Sequence, residues 1–169
     1  YGTSGAGSTG HIAAELMAMQ GGVKFLHVPY KGNAAAIVDV IAGNVQMMFD
    51  QISAAKPYIE SGRLRALGVT SLKRSSLFPN VQTIDESGLK GYEEITFNGL
   101  IAPAGTPREV VQKLSQDVKR SMEQADTKQR AEQAGIEVRA LTPAETTQQL
   151  ERDTASWARA IKSANIKLD

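Results

Sequence analysis

The run Gly5-Ala6-Gly7-Ser8-Thr9-Gly10 has the spacing G-x-G-x-x-G. Between a strand and a helix, that spacing cradles the pyrophosphate of a dinucleotide. The same setting asks for an acidic residue roughly 20 positions on, at the end of the next strand, to hold a ribose. Here only Tyr1 to Thr3 can serve as the leading strand, and the next extended run ends at Pro29-Tyr30-Lys31 without Asp or Glu. No Lys follows Gly10, so the string is not a phosphate-cradling P-loop either. A more general chemistry survives. Glycines let the backbone turn its N–H groups outward at a helix N-terminus, where unpaired donors and the helix dipole favour an anion. Ser4, Ser8 and Thr9 add hydroxyls. The loop is a seat for a carboxylate or phosphate, or a plain strand-to-helix turn capped by Ser8 or Thr9.

Other candidate chemistry is sparse. His11 and His27 are the only histidines. His11 adjoins the loop and can donate to an anion, whereas His27 sits mid-strand and reads as packed. Asp50 ends an apolar strand, at the carboxyl edge where open α/β sheets bind ligands. It can accept from an amine or hydroxyl, or cap the loop before Ser53. There is no Cys, no H-x-x-x-H or H-E-x-x-H ligand pair and no G-x-S-x-G elbow, so no metal site, cofactor or nucleophile is expected.

The elements that must position these residues alternate. A helix with Ile12, Leu16 and Met19 on one face follows the loop and stops at Gly21-Gly22. Phe25 to Tyr30 reads as a strand. A helix capped by Asn33 carries Ile37, Val38 and Ile41, and Val45 to Phe49 is a further strand. A helix from Ser53, with Pro57 in its first turn, precedes a strand over Leu64 to Thr70, and one helical turn is expected at Val81 to Ser87. Ile95 to Ala102 and Ile136 to Ala140 are read as later strands. Thr106-Pro107-Arg108-Glu109 and Thr142-Pro143-Ala144-Glu145 are capping boxes that open helices. The first of these helices carries Val110, Val111, Leu114, Val118 and Met122. The last carries Leu150, Trp157 and Ile161, with Trp157 in the core. A short helix over Lys128 to Ala134 lies between them. The alternation predicts an α/β protein with mostly parallel sheets flanked by helices.

With 169 residues and a net charge of +1, the chain suits one domain or two small lobes and lacks the basic face of a nucleic-acid binder. Arg63/Arg65 and Lys73/Arg74 read as solvated surface. No apolar run is long enough for a membrane span and no signal peptide is visible. Because Tyr1 leads directly into the loop, the sequence reads as a mature or truncated product.

Several segments carry a family likeness. "HVPYKGNAAAIVDVIAGNVQMMFDQISAAKPYIESGRLRALGVTS" resembles the Bug family, the periplasmic solute-binding receptors of tripartite tricarboxylate transporters. "YGTSGAGSTGHIAAELM", "RSSLFPNVQTIDESGLKGYE" and "FNGLIAPAGTPREVVQKL" resemble that family's other segments, in order and over essentially the whole chain. The resemblance implies an incomplete, type II periplasmic-binding-protein-like Venus flytrap of two lobes. Residues 1–94 correspond to most of the second lobe and 95–169 to the returning segment of the first, while the first lobe's own glycine-rich loop is missing. It implies no enzyme. It implies a periplasmic receptor that captures a small carboxylate (a di- or tricarboxylate, an amino acid or an aromatic acid) and hands it to membrane transporter subunits without being membrane-embedded itself. The matching ligand positions are Thr3, Ser4, Gly5, Ala6, Gly7, Ser8 and Thr9, with Tyr30 and Asp50 at the cleft edge, and His11 joins these candidates because it adjoins the loop. Two other readings stand beside it: an α/β enzyme acting on a nucleotide or acyl substrate with Asp50 and His11 as acid and base, and a ligand-sensing domain.

Overall fold

The computed structural model describes residues 1–166. The elements are β1 (Gly2–Thr3), α1 (Thr9–Gly21), β2 (Val28–Pro29), α2 (Asn33–Ile41), α3 (Ile52–Glu60), α4 (Arg108–Glu123), α5 (Ala125–Gln133) and α6 (Pro143–Ser163). Two compact units result. One gathers Tyr1–Thr96 with the chain from Ala155 onward, and the other is Phe97–Thr154. In the first unit Trp157 and Ala160 pack with Tyr92, Ile12 and Leu16.

In the first unit β1 is central. It pairs in parallel with β2, Gly2 opposite Val28 and Thr3 opposite Pro29, and Gly2 also bridges in parallel to Met48. Tyr1 and Thr3 carbonyls accept from Val28 and Tyr30, while the Gly2 N–H donates to Met47 on the other side. Three parallel segments thus run the same way, and each turns at its carboxyl end into a helix: β1 into α1, β2 into α2, and Met48–Asp50 into α3. The core beneath is Ile12, Leu16, Tyr92 and Ala160, with Phe49, Ile84, Leu89 and Trp157 packed around it. The Tyr92 hydroxyl, fully buried, donates to the Ala13 carbonyl at 2.9 Å. The Trp157 indole donates to Glu94 at 2.9 Å. Trp157 therefore does belong to the core.

The helices follow the sequence pattern closely, and the strands do not. The turn at Val81 to Ser87 forms, closed by reciprocal bonds between Thr83 and Glu86. Among the described residues, Leu64 to Thr70 contributes only a bridge from Val69 to Thr83, and Ile95 to Ala102 and Ile136 to Ala140 form no ladder. A strand exists only against a partner, and apolar content alone supplies none. Helix starts also shift. α3 begins at Ile52, which carries Pro57 past the first turn. Asn33 does not cap α2; Gly32 stands at that position and the Asn33 side chain goes elsewhere. Only the second capping box closes. Thr142 and Glu145 bond reciprocally, whereas the Thr106 hydroxyl donates to the Pro103 carbonyl and leaves α4 without a side-chain cap.

In the second unit, Leu100 and Ile101 are 78% and 99% exposed, and Val110 and Leu114 of α4 are also exposed. An apolar extended segment without a ladder partner is a template for pairing with another chain. The 169-residue chain is expected to self-associate, with apparent mass in light scattering rising with concentration. Ile101→Lys should reduce that rise. A concentration-independent monomer would show that this segment is not adhesive.

Candidate ligand-binding site

The carboxyl ends of the three parallel segments lie together, so the N-termini of α1, α2 and α3 converge there. Two close approaches fix the arrangement. A Cβ on Gly10 would lie 2.9 Å from the Phe49 carbonyl oxygen, and one on Gly5 would lie 3.6 Å from the Tyr30 carbonyl oxygen. No helix in α1 or α3 could start where it does with a bulkier residue at position 10 unless one of them moved.

The loop between β1 and α1 uses many of its own donors. The Gly5 N–H donates to Thr3 Oγ1, the Gly7 N–H to His11 Nδ1 at 3.1 Å, and the Ser8 N–H to the Gly5 carbonyl. Ser8 caps α1, its Oγ accepting from His11 N. The glycine amides therefore turn inward and hold the loop, contrary to the expectation that they face outward. Among the described residues, the amides of Ser4, Ala6 and Thr9 have no partner, and neither do the Ser4 and Thr9 hydroxyls. These donors stand at the positive end of the α1 dipole, which suits an anion.

Asp50 follows Phe49, whose carbonyl lies against Gly10. Its Oδ1 accepts from the Asn33 side chain at 2.6 Å and from the Gln51 N–H at 2.9 Å. Its Oδ2 is buried without a partner. Burial pushes the Asp50 carboxyl above the usual carboxylate range, against the pull of the Gln51 and Asn33 hydrogen bonds. One oxygen of this carboxylate is fixed by two hydrogen bonds and the other is enclosed without a partner.

A model of the family described as the tripartite tricarboxylate transporter family receptor, TctC, matches residues 1–166. The chain belongs to this receptor family. A UPF0065 relative from the tcbD–tcbE intergenic region of Pseudomonas sp. (strain P51) is 37% identical over 162 residues, covering 95% of this chain and 48% of the relative. The structure of R. palustris Rpa4515 with adipate is similar at a TM-score of 0.83 and 35% identity, over 98% of this chain and 56% of that one. Periplasmic binding protein BugD is similar at a TM-score of 0.78 and 33% identity, again over 98% and 56%. The chain thus spans about half the length of the relatives it matches. The Bug likeness and the α/β periplasmic-binding-protein fold stand on these matches, and the family is one of receptors and not enzymes.

Within this TctC-family chain, the residues expected at the site divide into two kinds. Ser4, Ala6, Ser8 and Thr9 belong to the loop with Gly5 and Gly7, and Asp50 follows Phe49 beside Gly10. Thr3, His11 and Tyr30 are committed elsewhere. Thr3 is 1% and His11 6% exposed, and both bond into the loop from beneath. The Tyr30 hydroxyl donates to Asp39 at 2.7 Å, which ties β2 to α2; that bond holds the phenol protonated to higher pH than usual. His11 and Asp50 share no contact, so they cannot act as an acid–base pair. Sequence reasoning missed Asn33, whose side chain orients Asp50, and missed the bond of 2.6 Å that His27, packed as expected, makes to Thr3. No spacing rule pairs residues 24 apart in this way; only the parallel register of β1 and β2 brings them together.

Proposed function

We propose that this chain carries the ligand seat of a periplasmic receptor that captures a small carboxylate and passes it to the membrane subunits of a tripartite tricarboxylate transporter. The observation that carries this reading is the loop from Ser4 to Thr9, with unengaged amides and hydroxyls at the N-terminus of α1 in a member of the receptor family. One carboxylate of the ligand seats on Ser4, Ala6 and Thr9. Asp50 reads the other end, and its enclosed Oδ2 must be uncovered by a turn of the side chain before the ligand or a bridging water can donate to it. Two carboxylates in direct contact would repel unless one held a proton, so Asp50 is not the anchor. Thr3, His11 and Tyr30 shape the seat without touching the ligand. The adipate bound to the R. palustris relative supports a di- or tricarboxylate, and an amino acid or aromatic acid fits the same anchor. Among the described residues no helix is long and apolar enough to cross a membrane, which suits a receptor that meets its transporter at a surface.

Calorimetry with adipate, a tricarboxylate, an amino acid, an aromatic acid, NAD and ATP tests the reading. Binding is expected for at least one carboxylate and for neither nucleotide. Tight NAD or ATP binding with no carboxylate binding would return the glycine loop to its dinucleotide meaning.

A further inference from the structure

Under the loop, the two histidines form a unit that ligand seating alone does not require. His11 of α1 and His27, just before β2, stack with ring centroids 3.8 Å apart and planes 25° apart. Tyr1 stacks on His27 at 5.0 Å. Each imidazole is bonded to the loop above. Gly7 N–H donates to His11 Nδ1 at 3.1 Å, so Nδ1 holds a lone pair and the ring proton is on Nε2, on the side of Glu15. Thr3 Oγ1 meets three groups: the Gly5 carbonyl at 3.1 Å, the Gly5 N–H at 3.2 Å and His27 Nε2 at 2.6 Å. A hydroxyl has one hydrogen. All three contacts are satisfied only if that hydrogen points to the Gly5 carbonyl and His27 Nε2–H donates to the oxygen. The two imidazoles therefore fix both glycines of the loop, Gly7 directly and Gly5 through Thr3.

We propose that the His11–His27 stack is a positioning device for the ligand loop and a proton switch upon it: neutral His11 holds the Gly7 amide inward, and a proton on His11 Nδ1 expels that amide and dismantles the loop. The cause is simple donor–acceptor logic. Protonated Nδ1 is a donor, and it would face another donor at hydrogen-bond distance. His27 behaves differently, since its loop contact already uses a donor and a second proton leaves Nε2–H unchanged. The consequence for binding rests on the carboxylate reading above.

The surrounding groups set where the pair titrates. Burial disfavours the charged form of both. Glu15, also of α1, opposes this at both rings, and its carboxylate accepts the Tyr1 hydroxyl at 2.6 Å. At His27 the neighbouring His11 opposes charge further, and His27 is pushed down to about 4. Repulsion between the rings is mutual, so the pair takes a single proton first, and when that proton is on His11 Nδ1 it displaces the Gly7 amide. Stacked imidazolium rings repel, so the pair holds one proton over the range in which the loop opens.

Nuclear magnetic resonance of the nitrogen-15-labelled 169-residue chain tests this without ligand, from pH 8 down to 4.5. His11 is expected as the Nε2–H tautomer at high pH, titrating below its ordinary 6.5, with the Gly7 amide resonance moving at the same midpoint. His11→Asn places a non-titrating acceptor near the position of Nδ1, and there the Gly7 amide should stop titrating. The binding arm uses adipate by calorimetry from pH 7.5 to 5.5. Below the His11 midpoint the apparent Kd should rise about tenfold per pH unit in the wild type, as the competent fraction falls. His11→Asn should show only the change due to adipate's own protonation. An Nδ1–H tautomer, a Gly7 amide indifferent to His11, or adipate binding that tightens as His11 protonates would each overturn the proposal. The wild-type titration decides the switch even if the variant fails to fold. Absence of adipate binding at every pH would count against adipate as ligand, and the Gly7 titration would still decide the switch.

Discussion

Gly10→Ala is expected to weaken carboxylate binding by about 10- to 100-fold, the loss that follows when one or two hydrogen bonds to a charged group are misplaced. The new Cβ would lie 2.9 Å from the Phe49 carbonyl oxygen and 3.8 Å from the Phe49 carbonyl carbon. Backbone at the end of a strand cannot swing aside like a side-chain tip, so α1 must retreat or the Phe49–Asp50 segment must shift. Either movement separates the loop donors from Asp50. Stability responds to two opposing effects. Alanine favours a helix over glycine by about 1 kcal/mol, while overpacking costs about 1–3 kcal/mol, so a net loss of up to about 2 kcal/mol is expected. Gly22→Ala is the control. Gly22 ends α1 in the left-handed region, at φ 63, with nothing within 4 Å of a new Cβ. That variant should lose about 1 kcal/mol from the left-handed backbone alone and bind normally. Urea denaturation and adipate calorimetry on both variants separate the cases. If Gly10→Ala matched the wild type in both measurements, the start of α1 would not be fixed by Phe49.

Much of this architecture is legible in the sequence, for identifiable reasons. Helices announce themselves locally. Leu16 follows Ile12 at helical spacing, Gly21-Gly22 supplies the left-handed stop, and both features are realised as read. The loop between Thr3 and Thr9 is equally legible, since its glycines adopt the positive φ values, 135 at Gly5 and 72 at Gly7, that glycine permits. What was not legible depends on residues far apart in the chain. Thr106 and Thr142 begin almost the same four-residue string, yet one hydroxyl finds the Pro103 carbonyl and the other closes a capping box. Asn33 reads as a cap because it precedes an apolar helix, and only the fold shows that Asp50 lies within its reach. The outward or inward sense of the Gly5 and Gly7 amides turns on His27 and His11, which the register of β1 and β2 delivers. Local chemistry pointed to the candidate loop, and long-range pairing decided which of its donors remain available.

Asp50→Asn should separate stability from recognition. In the wild type, burial raises the Asp50 pKa, so this carboxylate favours the folded state where it is protonated and costs stability as the pH rises through its folded-state value. Asparagine removes that cost. Its Oδ1 can keep both existing bonds, from Asn33 and from the Gln51 N–H, so the fold should be as stable at pH 7 or slightly more stable. The histidine pair has the opposite sign. Its depressed pKa values make stability full above the ordinary histidine value and lost on acidification below it. Stability between pH 7 and 4 in the variant should therefore fall more steeply than in the wild type, where Asp50 offsets part of the loss. Recognition changes because Oδ2, a buried acceptor without a partner, becomes an N–H donor. A ligand whose far end offers an amine or hydroxyl should lose about 10- to 100-fold in affinity, the worth of a hydrogen bond to a charged group. A dicarboxylate should lose less, or gain, because its second carboxylate can now accept from the new amide. The decisive measurement is the ratio of affinities for an amino acid and adipate in the two proteins, taken at pH 7 beside urea denaturation of each. An unchanged ratio with unchanged stability would make Asp50 a turn-forming residue that holds Asn33 and Gln51 and nothing else.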